Sequence, residues 1–274
     1  MLAAALCLGL LVGVVIGALG GGGSVLTVPL LVFALGLTAQ QATTGSLVIV
    51  GLTAAVASVS HARDGGTRWA TGLLLAAAGI PAAVLGTHLN TRVDEGVLLL
   101  AFAALMLVSA AFMVRHSAHD SEGAEPTSTR SSGSSTGAVT VASPKVTTRT
   151  ASTVIRLVAA GLVLGFLTGF LGVGGGFFAV PVLVLALDLP MSAAVGTSLV
   201  VIAVNSAVSL AARVGGQDIV WDVVVPFTGA AILGSLLGTR FADRLPTATL
   251  TRAFAALLVV VGLYVGVRAS FALW

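Results

Sequence analysis

Two segments of this chain, both deeply apolar, carry the same interruption: a glycine run followed by a proline. GVVIGALGGGGSVLTVPLLVF starts at Gly13, and GFLTGFLGVGGGFFAVPVLVL starts at Gly165. In hydrocarbon every backbone N–H and C=O needs a partner within the protein. A glycine run that breaks a helix there is tolerated only against other protein or along a cavity.

The surroundings are those of a membrane protein. Of the 274 residues 57% are hydrophobic and only 8% charged, with 34 glycines, and apolar runs of near-spanning length recur along the chain. Each is long enough to cross roughly 30 Å of hydrocarbon as a helix. The thirteen basic residues lie scattered at segment ends, so the formal charge of +3 reports orientation in a bilayer and not a nucleic-acid partner. Cys7 is the one cysteine, which excludes an intramolecular disulfide or a thiolate cluster. The first twenty residues lack a basic leader and recur later in the chain, so they read as mature protein.

The two interrupted segments belong to a longer match. At an offset of 152 residues Gly13, Gly17, Gly20, Gly22, Gly23 and Pro29 fall on Gly165, Gly169, Gly172, Gly174, Gly175 and Pro181. Farther on, Ser46, Trp69, Gly86, Thr87, Arg92 and Phe102 fall on Ser198, Trp221, Gly238, Thr239, Arg244 and Phe254. An internal duplication is the reading.

The expected organisation is all-α and polytopic. A first transmembrane repeat covers residues 1–114, a polar Ser/Thr/Gly-rich linker 115–153, and a second repeat 154–274. Each repeat has four nominal segments, eight in all, the first of each being broken or re-entrant. If each broken segment crosses once, nine basic residues share the linker's face against four, and the repeats are parallel. If each goes in and returns, the count is ten against three, and the repeats are inverted with the termini on the far face. Both counts put the linker in the cytoplasm of a multi-pass protein of the inner (plasma) membrane. Inverted repeats are preferred because exchange-symmetric halves explain alternating access.

Rows of glycine at every fourth position, Gly9, Gly13 and Gly17 with Gly161, Gly165 and Gly169, suit close helix packing. The denser clusters point elsewhere. Gly21, Gly22, Gly23 and Ser24 before Pro29, and Gly174, Gly175 and Gly176 before Pro181, would expose backbone N–H groups to an anion or act as a gate; a structural break is the alternative. No Lys-Ser or Lys-Thr follows either cluster, which removes a nucleotide-binding loop. Hydroxyl donors come next, Thr43, Thr44 and Ser46 in the first half and Thr197 and Ser198 in the second, with helix capping as their other role. Asn205 is an amide well inside an expected span, and Gln41 makes a similar, weaker claim. His61 and His88 border spans and are the candidates for proton coupling, or simply interfacial end residues. Arg63, Arg92, Arg213 and Arg244 either attract anions to a vestibule or only set orientation.

GFLTGFLGVGGGFFAVPVL from Gly165 to Leu183, followed by Gly196-Thr197-Ser198-Leu199, resembles the signature of the TauE/SafE sulfite exporter family. The first half departs from it, with Ser24 in place of Gly176 and Thr44-Gly45-Ser46 in place of Gly196-Thr197-Ser198. The resemblance implies a permease for small anions, sulfite or organosulfonates, commonly an exporter, that needs no cofactor and no resident metal. A secondary active transporter coupled to a proton or to the membrane potential is the expected function; moving one charge through 100 mV is worth about 2.3 kcal/mol. An anion channel and a receptor or assembly subunit are the alternatives. The chain offers no buried Ser-His pair, no HExxH and no paired aspartates, so an enzyme is not expected.

Overall fold

The computed structural model describes residues 2–19, 24–63, 67–122, 150–173, 178–180, 182–183, 191–213, 219–242 and 247–272. Among these residues there is no strand. The helices are α1 (Leu2–Leu19), α2 (Ser24–Pro29) continued by a π-helical turn (Leu30–Ala34), α3 (Ala39–Arg63), α4 (Trp69–Asn90), α5 (Glu95–Glu122), α6 (Thr150–Leu171), α7 (Met191–Ala211), α8 (Trp221–Ala242) and α9 (Thr247–Ala272). The expected linker over 115–153 is helical at its ends, because α5 runs on to Glu122 and α6 already begins at Thr150. Among the described residues, five stretches are long and apolar enough to cross a membrane: Ala39–Ser60, Trp69–Asn90, Val154–Leu171, Ala193–Ala211 and Trp221–Gly238. Leu2–Gly17, Ser24–Ala34, Glu95–Ala111 and Leu258–Ala269 are further apolar helical stretches among the described residues.

Hydrophobic burial does not draw helices together in lipid, so close approach of backbones has to do it. The glycine rows make that approach. Gly9 lies against Phe227 and Ala230, Gly13 against Ala231, and Gly17 against Ser235, all on α8. Gly161 lies against Leu75 and Ala78, Gly165 against Gly79, and Gly169 against Ala83, all on α4. A methyl group on any of these six glycines would meet backbone or side-chain atoms of the facing helix. Gly13 with Ala231 and Gly165 with Gly79 are the same contact displaced by 152 residues in the glycine and by the opposite 152 in its partner.

The order of these contacts fixes helix direction. Residue numbers rise together along α1 and α8, and along α6 and α4, so each pair is parallel. α4 also runs parallel to α7, since Gly72 meets Thr197 and Val200 while Gly79 meets Asn205. α3 and α7 are antiparallel: Gly51 packs on Ser206, and Thr43 and Thr44 meet Arg213. α5 and α9 are antiparallel too, with Gly262 against Met106 and Gly266 against Ala103. Val224, near the start of α8, touches Gly45 near the start of α3, so α8 leaves from the end of α3 that Arg213 occupies. α1, α3 and α8 therefore point one way and α4, α6 and α7 the other. Since α1 and α3 share a direction, the chain between them returns toward the face where α1 began.

α3 and α7 form the centre. Their spanning stretches are 72% and 67% buried, against 39–44% for α4, α6 and α8. Leu73 and Leu85 of α4, Val225 and Leu233 of α8, and Val260 and Leu263 of α9 stay exposed, giving the outer helices the apolar outward faces that lipid requires.

Candidate functional site

The first turns of α3 are built by a local cap. Thr38 Oγ1 accepts from the Gln41 N–H and Gln41 Oε1 accepts from the Thr38 N–H, each at 3.2 Å, the reciprocal arrangement of a capping box. Gln41 is thus committed to the helix end. Glu95 Oε1 accepts a further N–H, that of Ala39, at 2.7 Å, and its negative charge sits where a helix N-terminus favours one.

One turn on, Thr43 and Thr44 are both buried, and each donates its hydroxyl hydrogen to Gln40 O at 2.9 Å. Their oxygens therefore present lone pairs, and both accept from Arg213 Nη1, at 3.0 and 2.8 Å. Arg213 Nη2 donates to Gly169 O at 2.8 Å, in the last turn of α6. Ser46 Oγ lies within hydrogen-bond reach of two carbonyls, Thr43 O at 2.9 Å and Gly172 O, which share its single hydrogen. Gly172 has φ +67, a conformation that favours glycine, and a Cβ there would lie 2.7 Å from Thr43 Cβ. The start of α3, the end of α6 and the turn beyond α7 are knitted together at this point.

Arg213 is 4% exposed, and among the described residues no carboxylate pairs with it. Its three acceptors are neutral. A guanidinium has five N–H groups. Three are used here, and Nε is among the groups left without a partner. Desolvation by burial lowers its pKa from the ordinary arginine value to about 10, so it remains a cation at neutral pH. A buried cation with neutral neighbours and spare N–H groups is suited to an oxyanion, which would supply both the missing charge and the missing acceptors.

A second polar group lies deeper on α7. Asn205 is fully buried with neither amide atom hydrogen-bonded, and the hydroxyls of Ser206 and Ser209 are buried and unpartnered as well.

The sequence model described as sulfite exporter TauE/SafE matches residues 5–265. The chain belongs to the TauE/SafE sulfite exporter family. A "Probable membrane transporter protein" of Xylella fastidiosa (strain Temecula1) is 31% identical over 258 residues, covering 93% of this chain and 91% of its own length. A protein of the same description from strain 9a5c is 29% identical over 258 residues. "Probable membrane transporter protein YunE" of Bacillus subtilis (strain 168) is 24% identical over 263 residues, 93% of each chain. No solved structure matches the chain.

Within this TauE/SafE chain the residues singled out by sequence do not all meet. Thr43, Thr44 and Ser46 converge on Arg213 and Gly172. Thr197 is buried elsewhere, where its Oγ1 accepts from the Arg68 N–H at 3.2 Å, and Ser198 donates to Val195 O at 2.7 Å. Ser24 and Pro29 are buried in α2, and His88 is exposed in the last turn of α4. Gly21, Gly22, Gly23, Gly174, Gly175, Gly176 and Pro181 lie outside the described residues, as does the side chain of His61. Arg213 is the residue that sequence reasoning undervalued, as one of four arginines near segment ends. Its signal was faint: position 213 pairs with His61 at the 152-residue offset, so the one basic position that both repeats share beside α3 and α7 carries two different residues.

Proposed function

We propose that this chain is a secondary active permease for small anions, of the sulfite or organosulfonate class, working as an exporter driven by a proton or by the membrane potential. The observation that carries this reading is Arg213: a buried guanidinium at the crossing of α3, α6 and α7, supplied among the described residues only with neutral acceptors and holding N–H groups in reserve. A charge left unpaired in such a place is costly unless a ligand visits it.

The carrier architecture in this proposal is a pair of inverted repeats, with the linker cytoplasmic and both termini on the opposite face of the inner membrane. The helix directions support it. α3 and α7 stand at the same position in their halves and run antiparallel, as do α5 and α9. The crossed pairing of α1 with α8 and α6 with α4 also suits two exchange-symmetric halves around one pathway. Ten basic residues then share the linker's face against three.

The test is uptake and counterflow in proteoliposomes with sulfite, sulfate, thiosulfate, sulfoacetate, taurine and simple carboxylates at two pH values. Saturable flux of a sulfur oxyanion or sulfonate, accelerated by substrate on the far side, is the expected result. Flux far above carrier turnover without trans-acceleration would make the protein a channel, and no flux of any of these anions would end the permease reading.

A further inference from the structure

Most buried hydroxyls on these helices spend their hydrogen on a carbonyl three or four residues back. Thr53 donates to Ile49 O, Ser58 to Ala55 O, Ser109 to Leu105 O, Thr168 to Leu164 O, Thr228 to Val224 O and Ser235 to Ile232 O. That is the ordinary way for a helix in an apolar setting to satisfy a serine or threonine. Ser206 and Ser209 do not do it. Both hydroxyls, and both atoms of the neighbouring Asn205 amide, are buried and without partners. Thr27, Thr67 and Thr87 leave single hydroxyls unpartnered in other parts of the chain, but among the described residues only α7 gathers three such side chains within five residues.

Their placement is specific. At roughly 100° per residue, Asn205, Ser209 and Ser206 share one arc of about 100° on α7, and Arg213 follows in the turn that ends the helix. Asn205 to Ala211 spans six residues, about 9 Å along the axis at 1.5 Å per residue, and Arg213 lies two residues farther, in the turn beyond α7. Glycines of the flanking helices leave room for the polar groups: a Cβ at Gly79 of α4 would lie 3.2 Å from Asn205 Nδ2, and one at Gly51 of α3 would lie 3.0 Å from Ser206 Cβ. At the 152-residue offset the matching positions in α3 are Thr53, Ala54 and Ala57, and Thr53 is back-bonded. The polar stripe therefore belongs to the second half alone.

We propose that Asn205, Ser206 and Ser209 form a hydrogen-bonding station for a small oxyanion inside the membrane, reached from Arg213 along one face of α7. The inference rests on the anion-permease reading and adds the part of the path that bears no charge. Arg213 attracts the anion toward the mouth of the path on the face of the termini, from which an exporter releases it. The station replaces water's hydrogen bonds: the Asn205 Nδ2 and the two hydroxyls donate to oxyanion oxygens, while Asn205 Oδ1 accepts from an oxygen that carries a proton. A cation this deep would trap the anion, whereas neutral donors hold it weakly enough to leave.

The experiment uses the full chain in a Cys7→Ser background, reconstituted in phosphatidylcholine/phosphatidylglycerol vesicles. Ser209→Cys and Ala207→Cys are each treated with the anionic thiol reagent 2-sulfonatoethyl methanethiosulfonate; Ala207 lies on the exposed side of α7. Ser209→Cys is expected to react roughly tenfold faster than Ala207→Cys, and adding Arg213→Gln should slow it by about tenfold without slowing neutral N-ethylmaleimide. Sulfoacetate should protect it. Asn205→Leu, close in volume to the native residue, should lower flux about tenfold or more at normal protein levels. Modification of Ser209→Cys that is no faster than that of Ala207→Cys, or that ignores Arg213→Gln, overturns the station. If that result comes with normal anion flux in the parent protein, the permease reading stands without it. Arg213-dependent labelling in a chain that moves none of the anions supports the station and overturns the permease reading instead.

Discussion

Arg213, in the turn beyond α7, donates from Nη1 to Thr44 Oγ1 at 2.8 Å, across the seam between α7 and the first turns of α3. Hydrogen bonds to charged groups contribute roughly 1.5–3 kcal/mol each. Here they hold a cation whose partners are all neutral, so charge at position 213 is expected to matter more for anion handling than for folding. Arg213→Gln should lower anion flux by one to two orders of magnitude in proteoliposomes, while fluorescence-detected gel filtration still shows a monodisperse protein. Arg213→Lys keeps the charge but loses the fork, and should recover only part of the flux. Unchanged flux in Arg213→Gln would separate the residue from transport.

The pH response of this group follows from its lowered pKa. The folded value of about 10 lies below that of an ordinary arginine, so below pH 10 folded and unfolded chains both hold the proton and Arg213 adds no pH dependence. Above about pH 10 the unfolded chain holds more protons, so stability gains from this group as pH rises. The difference in melting temperature between the parent protein and Arg213→Gln should be flat from pH 6 to 9 and move in the parent's favour above pH 10.

The two glycine rows predict a sharp contrast with a glycine that meets nothing. Gly13→Ala would press its methyl group onto the Ala231 backbone, and Gly165→Ala onto that of Gly79. Each should cost about 1–3 kcal/mol or more, read as a lower melting temperature in detergent. Gly229, in α8, has nothing within 4 Å of where its Cβ would be, so Gly229→Ala should be neutral or raise stability by up to about 1 kcal/mol through helix propensity.

Gly172 links structure to the site. Gly172→Ala meets both a positive φ and the Thr43 backbone, with Thr43 Cα 2.8 Å from the added carbon. Displacing Thr43 disturbs an acceptor of Arg213, so flux should fall along with thermal stability. Gly36→Ala shares the positive φ, +73, but has open space around it. It should cost only about 1 kcal/mol or so of backbone strain and leave flux intact.

Much of the architecture was legible because the bilayer imposes simple rules. Trp69 and Trp221 begin α4 and α8 where the sequence puts them, and Ala39–Arg63 and Met191–Ala211 match the expected second segments within a few residues. A long apolar run must be helical to satisfy its own backbone, which ties span length directly to composition. The helical extensions at Glu122 and Thr150 were missed because polar residues can continue a helix beyond the membrane, where hydropathy no longer marks its end.

The sequence by itself determined the helical class, the 152-residue correspondence, the glycine rows and the family, all of which depend on residues near one another in the chain or repeated along it. Only the tertiary structure decided which arginine is buried, that Thr43, Thr44 and Gly169 close around it, and that Asn205, Ser206 and Ser209 remain unsatisfied while comparable hydroxyls back-bond. Those facts depend on which helix faces which and in what direction. Arg213 lies 170 residues from Thr43 along the chain and 44 from Gly169, and no local pattern carries a meeting at such separations.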